Sequence, residues 1–98
     1  MKFFQIIEFS TDQIDQFNAE LDAWQTRTQG SRIPHRAALA RDRDTNGRHL
    51  LIVEFASYEQ GMENSNRSET AEFAAILARI SGGPLTFRNL DVLREEQF

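Results

Sequence analysis

Eight consecutive polar residues, Glu63-Asn64-Ser65-Asn66-Arg67-Ser68-Glu69-Thr70, break an apolar helical stripe that starts at Tyr58 and Met62 and resumes at Phe73, Ile76, Leu77 and Ile80. Amides and hydroxyls at such a break could orient a polar substrate inside an apolar cavity. The same residues could instead form a solvated turn. Gln5 shares a strand face with Phe3, Ile7 and Phe9, so if that face is buried its amide needs a ligand, a water or a backbone group as partner. Glu8 and Glu54 each stand just before a Phe at a strand end. Placed side by side, two carboxylates raise one another's pKa and could act as an acid/base pair; alternatively Arg36, Arg41 or His35 neutralises them. His35 and His49 are the only histidines. They show no metal-ligand spacing, and no metal site is expected. No G-x-S-x-G context supports a nucleophilic serine. Gly82-Gly83 reads as a helix stop, not a phosphate loop.

These residues must be positioned by regular elements. Phe3 to Phe9 has strand character, with apolar residues on both faces. Ser10-x-x-Gln13 carries a capping-box pattern, and Ile14, Phe17, Leu21 and Trp24 follow at helical spacing up to a stop at Gly30. Trp24 lies on that buried stripe and is expected in the core. Pro34 suits the start of a strand, and His35 to Arg43 reads as a second strand. Asp44-Thr45-Asn46-Gly47 reads as a hairpin turn, and Arg48 to Ala56 is the most apolar strand. Ser57-x-x-Gln60 repeats the capping pattern. An interrupted helix follows, its second piece capped near Ser68 and ended by Gly82-Gly83-Pro84. Leu85 to Leu93 forms a last strand.

Composition bounds the function. With 98 residues the chain fits a single domain, residues 1–98. Eleven basic and fifteen acidic residues leave a formal charge of −4, which argues against nucleic acid or an anionic membrane as partner. No apolar run approaches the roughly 20 residues of a membrane span. The absence of cysteine excludes disulfides and thiolate chemistry, and a cytoplasmic setting is expected. Eight Phe are generous for so small a core and could serve a subunit interface or a ligand cavity.

The order strand, helix, strand, strand, helix, strand contains an internal repeat. Ile6-Ile7-Glu8-Phe9-Ser10-Thr11-Asp12-Gln13 resembles Ile52-Val53-Glu54-Phe55-Ala56-Ser57-Tyr58-Glu59-Gln60 with one inserted residue. A doubled βαβ unit is the split ferredoxin-like arrangement. Taken as repeats, the first and third strands are expected adjacent and parallel at the sheet centre, with Glu8 and Glu54 about 5 Å apart. Both helices cover one face. Phe4, Ile6, Leu50 and Ile52 fall on the uncovered face, and a homodimer that buries them sheet against sheet is expected.

The chain resembles the dimeric α/β-barrel superfamily, which includes antibiotic-biosynthesis monooxygenases and haem-degrading monooxygenases. The resemblance spans Lys2 to about Val92. It rests on element order, the Glu54-Phe55-Ala56-Ser57 junction, and the broken second helix ending in Phe73 and Leu77. It implies a ferredoxin-like α+β fold, βαββαβ, with a four-stranded antiparallel sheet pairing into a dimeric barrel. It also implies a pocket beside the helix break, at Asn64, Ser65, Asn66 and Arg67. The family's catalytic signatures do not carry over. The haem degraders have an Asn where this chain has Ile7, and a His in the second helix, where Ser57 to Ser81 has none. Among the quinone-forming members' Trp, Tyr and Asn side chains, only Tyr58 and the Asn cluster match.

The resemblance therefore implies a small-molecule protein without metal or cofactor. It would be a cofactor-independent oxygenase, an isomerase or a lyase acting on an aromatic or polyketide-like compound. In that role Arg67 is the anion partner, Asn64 and Asn66 are hydrogen-bond donors, and Tyr58 is the proton donor. A non-catalytic ligand-binding or stress-associated dimer shares the same element order and remains the alternative, as does a ligand-free structural dimer.

Overall fold

The computed structural model describes residues 1–98. The elements run β1 (Phe3–Ser10), α1 (Ile14–Arg27), β2 (Arg36–Arg41), β3 (Arg48–Phe55), α2 (Tyr58–Ser65), α3 (Ser68–Ile80) and β4 (Thr86–Asp91). The strands form one sheet in the order β2-β3-β1-β4, with every neighbouring pair antiparallel. This is the ferredoxin-like α+β arrangement expected from the element order. The parallel pairing of the two repeat strands is corrected: β1 and β3 run antiparallel, with Phe3 opposite Phe55 and Ser10 opposite Arg48. Each repeat unit is a strand followed by a helix, and a pseudo-two-fold axis relates the two units. That axis reverses the central strands.

The register sorts the strand residues onto two faces. Phe3, Gln5, Ile7 and Phe9 of β1 stand beside Phe55, Val53, Leu51 and His49 of β3, on the helix side. Phe9 packs at a tilt against Phe17 of α1 at 5.1 Å and stacks on His49 at 5.6 Å. Phe73 of α3 meets Phe17 edge-on at 5.8 Å. Phe3, Phe9, Phe17, Phe55 and Leu77 are almost wholly buried; each contributes about 1.5–3 kcal/mol by leaving water. On the opposite face Phe4, Ile6, Leu50 and Ile52 are only half-buried.

Helix ends show where local signals competed. Ser57 caps α2 as expected, its hydroxyl accepting from the Gln60 amide at 3.2 Å. At α1 the expected Ser10 cap does not form: the N-cap position falls at Gln13, which has no side-chain cap. The Thr11 hydroxyl accepts from the Gln13 amide at 2.9 Å and donates to the Ile80 carbonyl at 2.7 Å. Ser10 lies within β1, and the buried Thr11 ties the approach to α1 to the end of α3. The break between α2 and α3 falls at Asn66 and Arg67, inside the polar run. Gly61 lets α2 settle onto β1. A Cβ there would stand 2.6 Å from the Phe3 ring. No helix is long and apolar enough to cross a membrane.

Candidate functional site

A cavity of about 240 Å³ lies between the helix-side face of the sheet and the helices. Its buried floor comes from the sheet residues Ile7, Leu51 and Val53 and from Phe73 of α3. Leu21 and Trp24 of α1 form one wall, and Ala37 and Leu39 of β2 another. β2 is an edge strand, and its small Ala37 leaves the space that a larger side chain would fill. The rim is polar and exposed, formed by Gln25, Arg32, His35 and Arg36.

Two of the candidate residues meet here. Asn64, from the last turn of α2, is 6% exposed, lines the cavity, and makes no side-chain hydrogen bond within the chain. Because no fully buried side-chain polar atom lacks a partner, this amide keeps some exposure and is free to bond something in the cavity. Thr70 of α3 stands on the same wall. Gln5 also lines the cavity, and its amide has a partner: Nε2 donates to Asn89 Oδ1 of β4 at 3.2 Å.

The remaining candidates stand outside the cavity. Tyr58, half-exposed, meets Phe3 edge-on at 5.4 Å at the start of α2. The Ser65 hydroxyl donates to the Gly61 carbonyl at 3.0 Å, and Asn66 is the exposed C-cap of α2. Arg67 reaches across to the α1–β2 loop. Its guanidinium donates to the carbonyl and hydroxyl of Ser31 and pairs with Glu69 at 3.4 Å. It therefore ties the helix break to the residue preceding Arg32.

The acid/base pairing of Glu8 with Glu54 is corrected by the antiparallel register. Glu8 stands opposite Leu50 and Glu54 opposite Phe4, which separates them by four residues, about 13 Å along the sheet. Each has its own cations instead. Glu8 accepts from Arg48 at 2.7 Å and pairs with Arg88 at 2.9 Å. Glu54 accepts from Lys2 at 2.9 Å and lies 3.9 Å from Arg36. The Lys2 hydrogen bond holds the Glu54 carboxyl below its ordinary 4.5, against the opposing effect of burial. The same bond, aided by Glu95, raises the Lys2 ammonium above 10.5.

Sequence reading placed Thr70 in the candidate polar run but did not single out Arg32 or the Trp24 wall as parts of a site. Trp24 lies on the stripe that marks a core residue, yet it is half-buried, 6.3 Å from Phe73, with the Arg32 guanidinium 5.6 Å above its ring. The one available signal was Pro34 beside His35: it marks the chain entering an edge strand where α1 has ended. No group of three or more His, Asp or Glu side chains is placed to hold a metal ion.

No family model and no curated protein matches the sequence. Solved structures do match. Rv0793 from Mycobacterium tuberculosis is 19% identical at a TM-score of 0.77, over 99% of this chain and all of that one. SnoaB, a cofactor-independent oxygenase from Streptomyces nogalater, is 12% identical at 0.77, over 96% of this chain and 95% of its own. An antibiotic biosynthesis monooxygenase is 13% identical at 0.72, over 96% of this chain and 100% of that one. The chain shares the fold of these three proteins. Within that fold the cavity occupies the space between sheet and helices, with the α2–α3 break at its edge.

Proposed function

We propose that this protein is a cofactor-independent oxygenase of small aromatic phenols, working as a homodimer in the cytoplasm. The observation that carries this reading is Asn64, a residue 6% exposed whose side-chain amide has no hydrogen-bond partner in the chain and lines an apolar cavity. The shared fold with SnoaB supports it. The cavity, at about 240 Å³, lies below the roughly 300–1,000 Å³ of drug-sized sites, so a one- or two-ring compound fits better than a larger polyketide.

In such a site the ring packs against Trp24 and Phe73 and water is excluded. Loss of the phenolic proton to solvent leaves a phenolate, whose oxygen the Asn64 amide stabilises. The electron-rich ring carbon then reduces dioxygen. One oxygen atom enters the ring, and the other leaves as water with the two hydrogens lost from the substrate. For 1-naphthol and one dioxygen the products are 1,4-naphthoquinone and one water, which balances atoms and electrons. Dimerisation follows from the uncovered sheet face, where Phe4, Ile6, Leu50 and Ile52 remain half in water.

The test is oxygen uptake and quinone absorbance with 1-naphthol. Enzyme-dependent turnover is expected, and Asn64→Ala should lower it by about 10²-fold, the scale of losing one oxyanion donor. Binding without turnover would assign the protein to the non-catalytic ligand-binding class.

A further inference from the structure

The charge lining the cavity runs against that of the chain. The protein carries fifteen carboxylate side chains and a net charge of −4, yet no Asp or Glu lines the cavity, while Arg32, His35 and Arg36 do. Arg36 is shared with Glu54. Arg32 takes part in no ion pair, and it is built into place. Its Nε donates to the Thr28 hydroxyl at 3.3 Å, its Nη2 donates to the Gln25 carbonyl at 2.9 Å, and its guanidinium lies over Trp24. Two of its five N–H donors are thus used by the protein, and three remain. Arg67 secures the adjacent Ser31 through hydrogen bonds to its carbonyl and hydroxyl.

We propose that the cavity selects a planar aromatic carboxylate, with Arg32 as the residue that recognises the acid group. The ring enters beside Trp24, and the carboxylate stays at the rim, where a pre-positioned guanidinium offers its remaining donors as a fork. The aromatic stack and the two hydrogen-bond anchors, one to the Thr28 hydroxyl and one to the Gln25 carbonyl, reduce the freedom Arg32 would lose on binding. This inference rests on the cavity being a ligand site and is independent of oxygen chemistry.

The probes are 1-naphthoate and its neutral isostere 1-naphthamide. Calorimetry gives affinity, and the indole N–H cross-peak of Trp24, the only tryptophan, reports occupancy of the cavity. Naphthoate is expected to bind at least about tenfold tighter than naphthamide, the scale of one charge-assisted bond. Arg32→Gln should remove that preference, while naphthamide still moves the Trp24 cross-peak, which shows that the cavity is intact. Arg32→Lys should fall between. Arg94→Gln, which deletes the same charge on the remote C-terminal tail, should bind naphthoate as the parent does. Equal affinity for the two probes, or an Arg32→Gln variant that keeps the preference, overturns the carboxylate assignment while the cavity reading stands. Failure of both probes to move the Trp24 resonance overturns both.

Discussion

Gly61 sets the height of α2 above the sheet, and Gly61→Ala measures how tightly. The new Cβ would lie 2.6 Å from two Phe3 ring carbons and 3.6 Å from a Phe55 carbon. Ordinary contact begins at 3.4 Å, so something must move by about 0.8 Å. Phe3 is 1% exposed and held by Phe55 at 6.0 Å and Tyr58 at 5.4 Å, so its ring cannot simply swing away. Overpacking of a filled core costs about 1–3 kcal/mol, and this contact belongs near the top of that range. Alanine returns about 1 kcal/mol through helix propensity. The net loss is about 2 kcal/mol, or a melting point lower by about 8–16 °C for a chain of this size. Thermal unfolding followed by circular dichroism, at one fixed protein concentration, reads it. In a Phe3→Leu background the same substitution should cost at least about 1 kcal/mol less, because the clashing ring edge is gone. Asn64 lies one helical turn beyond Gly61, so lifting α2 should also weaken ligand binding in the cavity. A Gly61→Ala protein as stable as the parent would refute the close approach of α2 to β1.

Ile52→Asp tests the proposed dimer. A two-fold interface feels each substitution twice, so losing two half-buried isoleucines and burying two carboxylates should raise the dissociation constant by about 10² or more. Light scattering after gel filtration should show a monomer, and an unchanged dimer would place the interface elsewhere. Lys2→Met tests the rim ion pair through its pH dependence. Glu54 titrates below 4.5 when folded, so its contribution is present above that pH and fades as pH falls through the lowered value. Lys2 titrates above 10.5 when folded, so its contribution is complete below that pH and fades as pH rises further. The gap in urea midpoint between parent and variant should therefore be widest between these limits and narrow in acid. A gap that ignores pH would assign the effect of Lys2 to packing instead.

The parts of the fold legible in sequence were those written in periodicity. Strand alternation separated Phe3, Ile7 and Phe9 from Phe4 and Ile6, and the register confirms that division. The Ser57 cap and the break between α2 and α3 were visible because a cap and a polar run are local signals. Strand direction is not local. The repeat around Glu8 and Glu54 reports similar units but carries no sign for their relative orientation, and the antiparallel pairing carries the two carboxylates to opposite ends of the sheet. The Thr11 contact was likewise hidden, because its partner, the Ile80 carbonyl, is 69 residues away.

The candidate site divides along the same line. Gln5 was found as a polar residue on an apolar strand face and Asn64 as part of an unbroken polar run; both are patterns within a single stretch of chain, and both line the cavity. Arg67 was found by the same reasoning and stands elsewhere, since only the tertiary fold shows that Ser31 is within its reach. Arg32 has no pattern at all: it lies in a loop, one of ten arginines in the chain. Its position follows from where α1 stops, which Thr28 decides by bonding its hydroxyl back to the Trp24 carbonyl at 2.8 Å. The same hydroxyl then accepts from Arg32. One buried threonine thus ends the helix beneath the tryptophan and holds the arginine above it, so the apolar wall and the cationic rim of the cavity are set by a single residue.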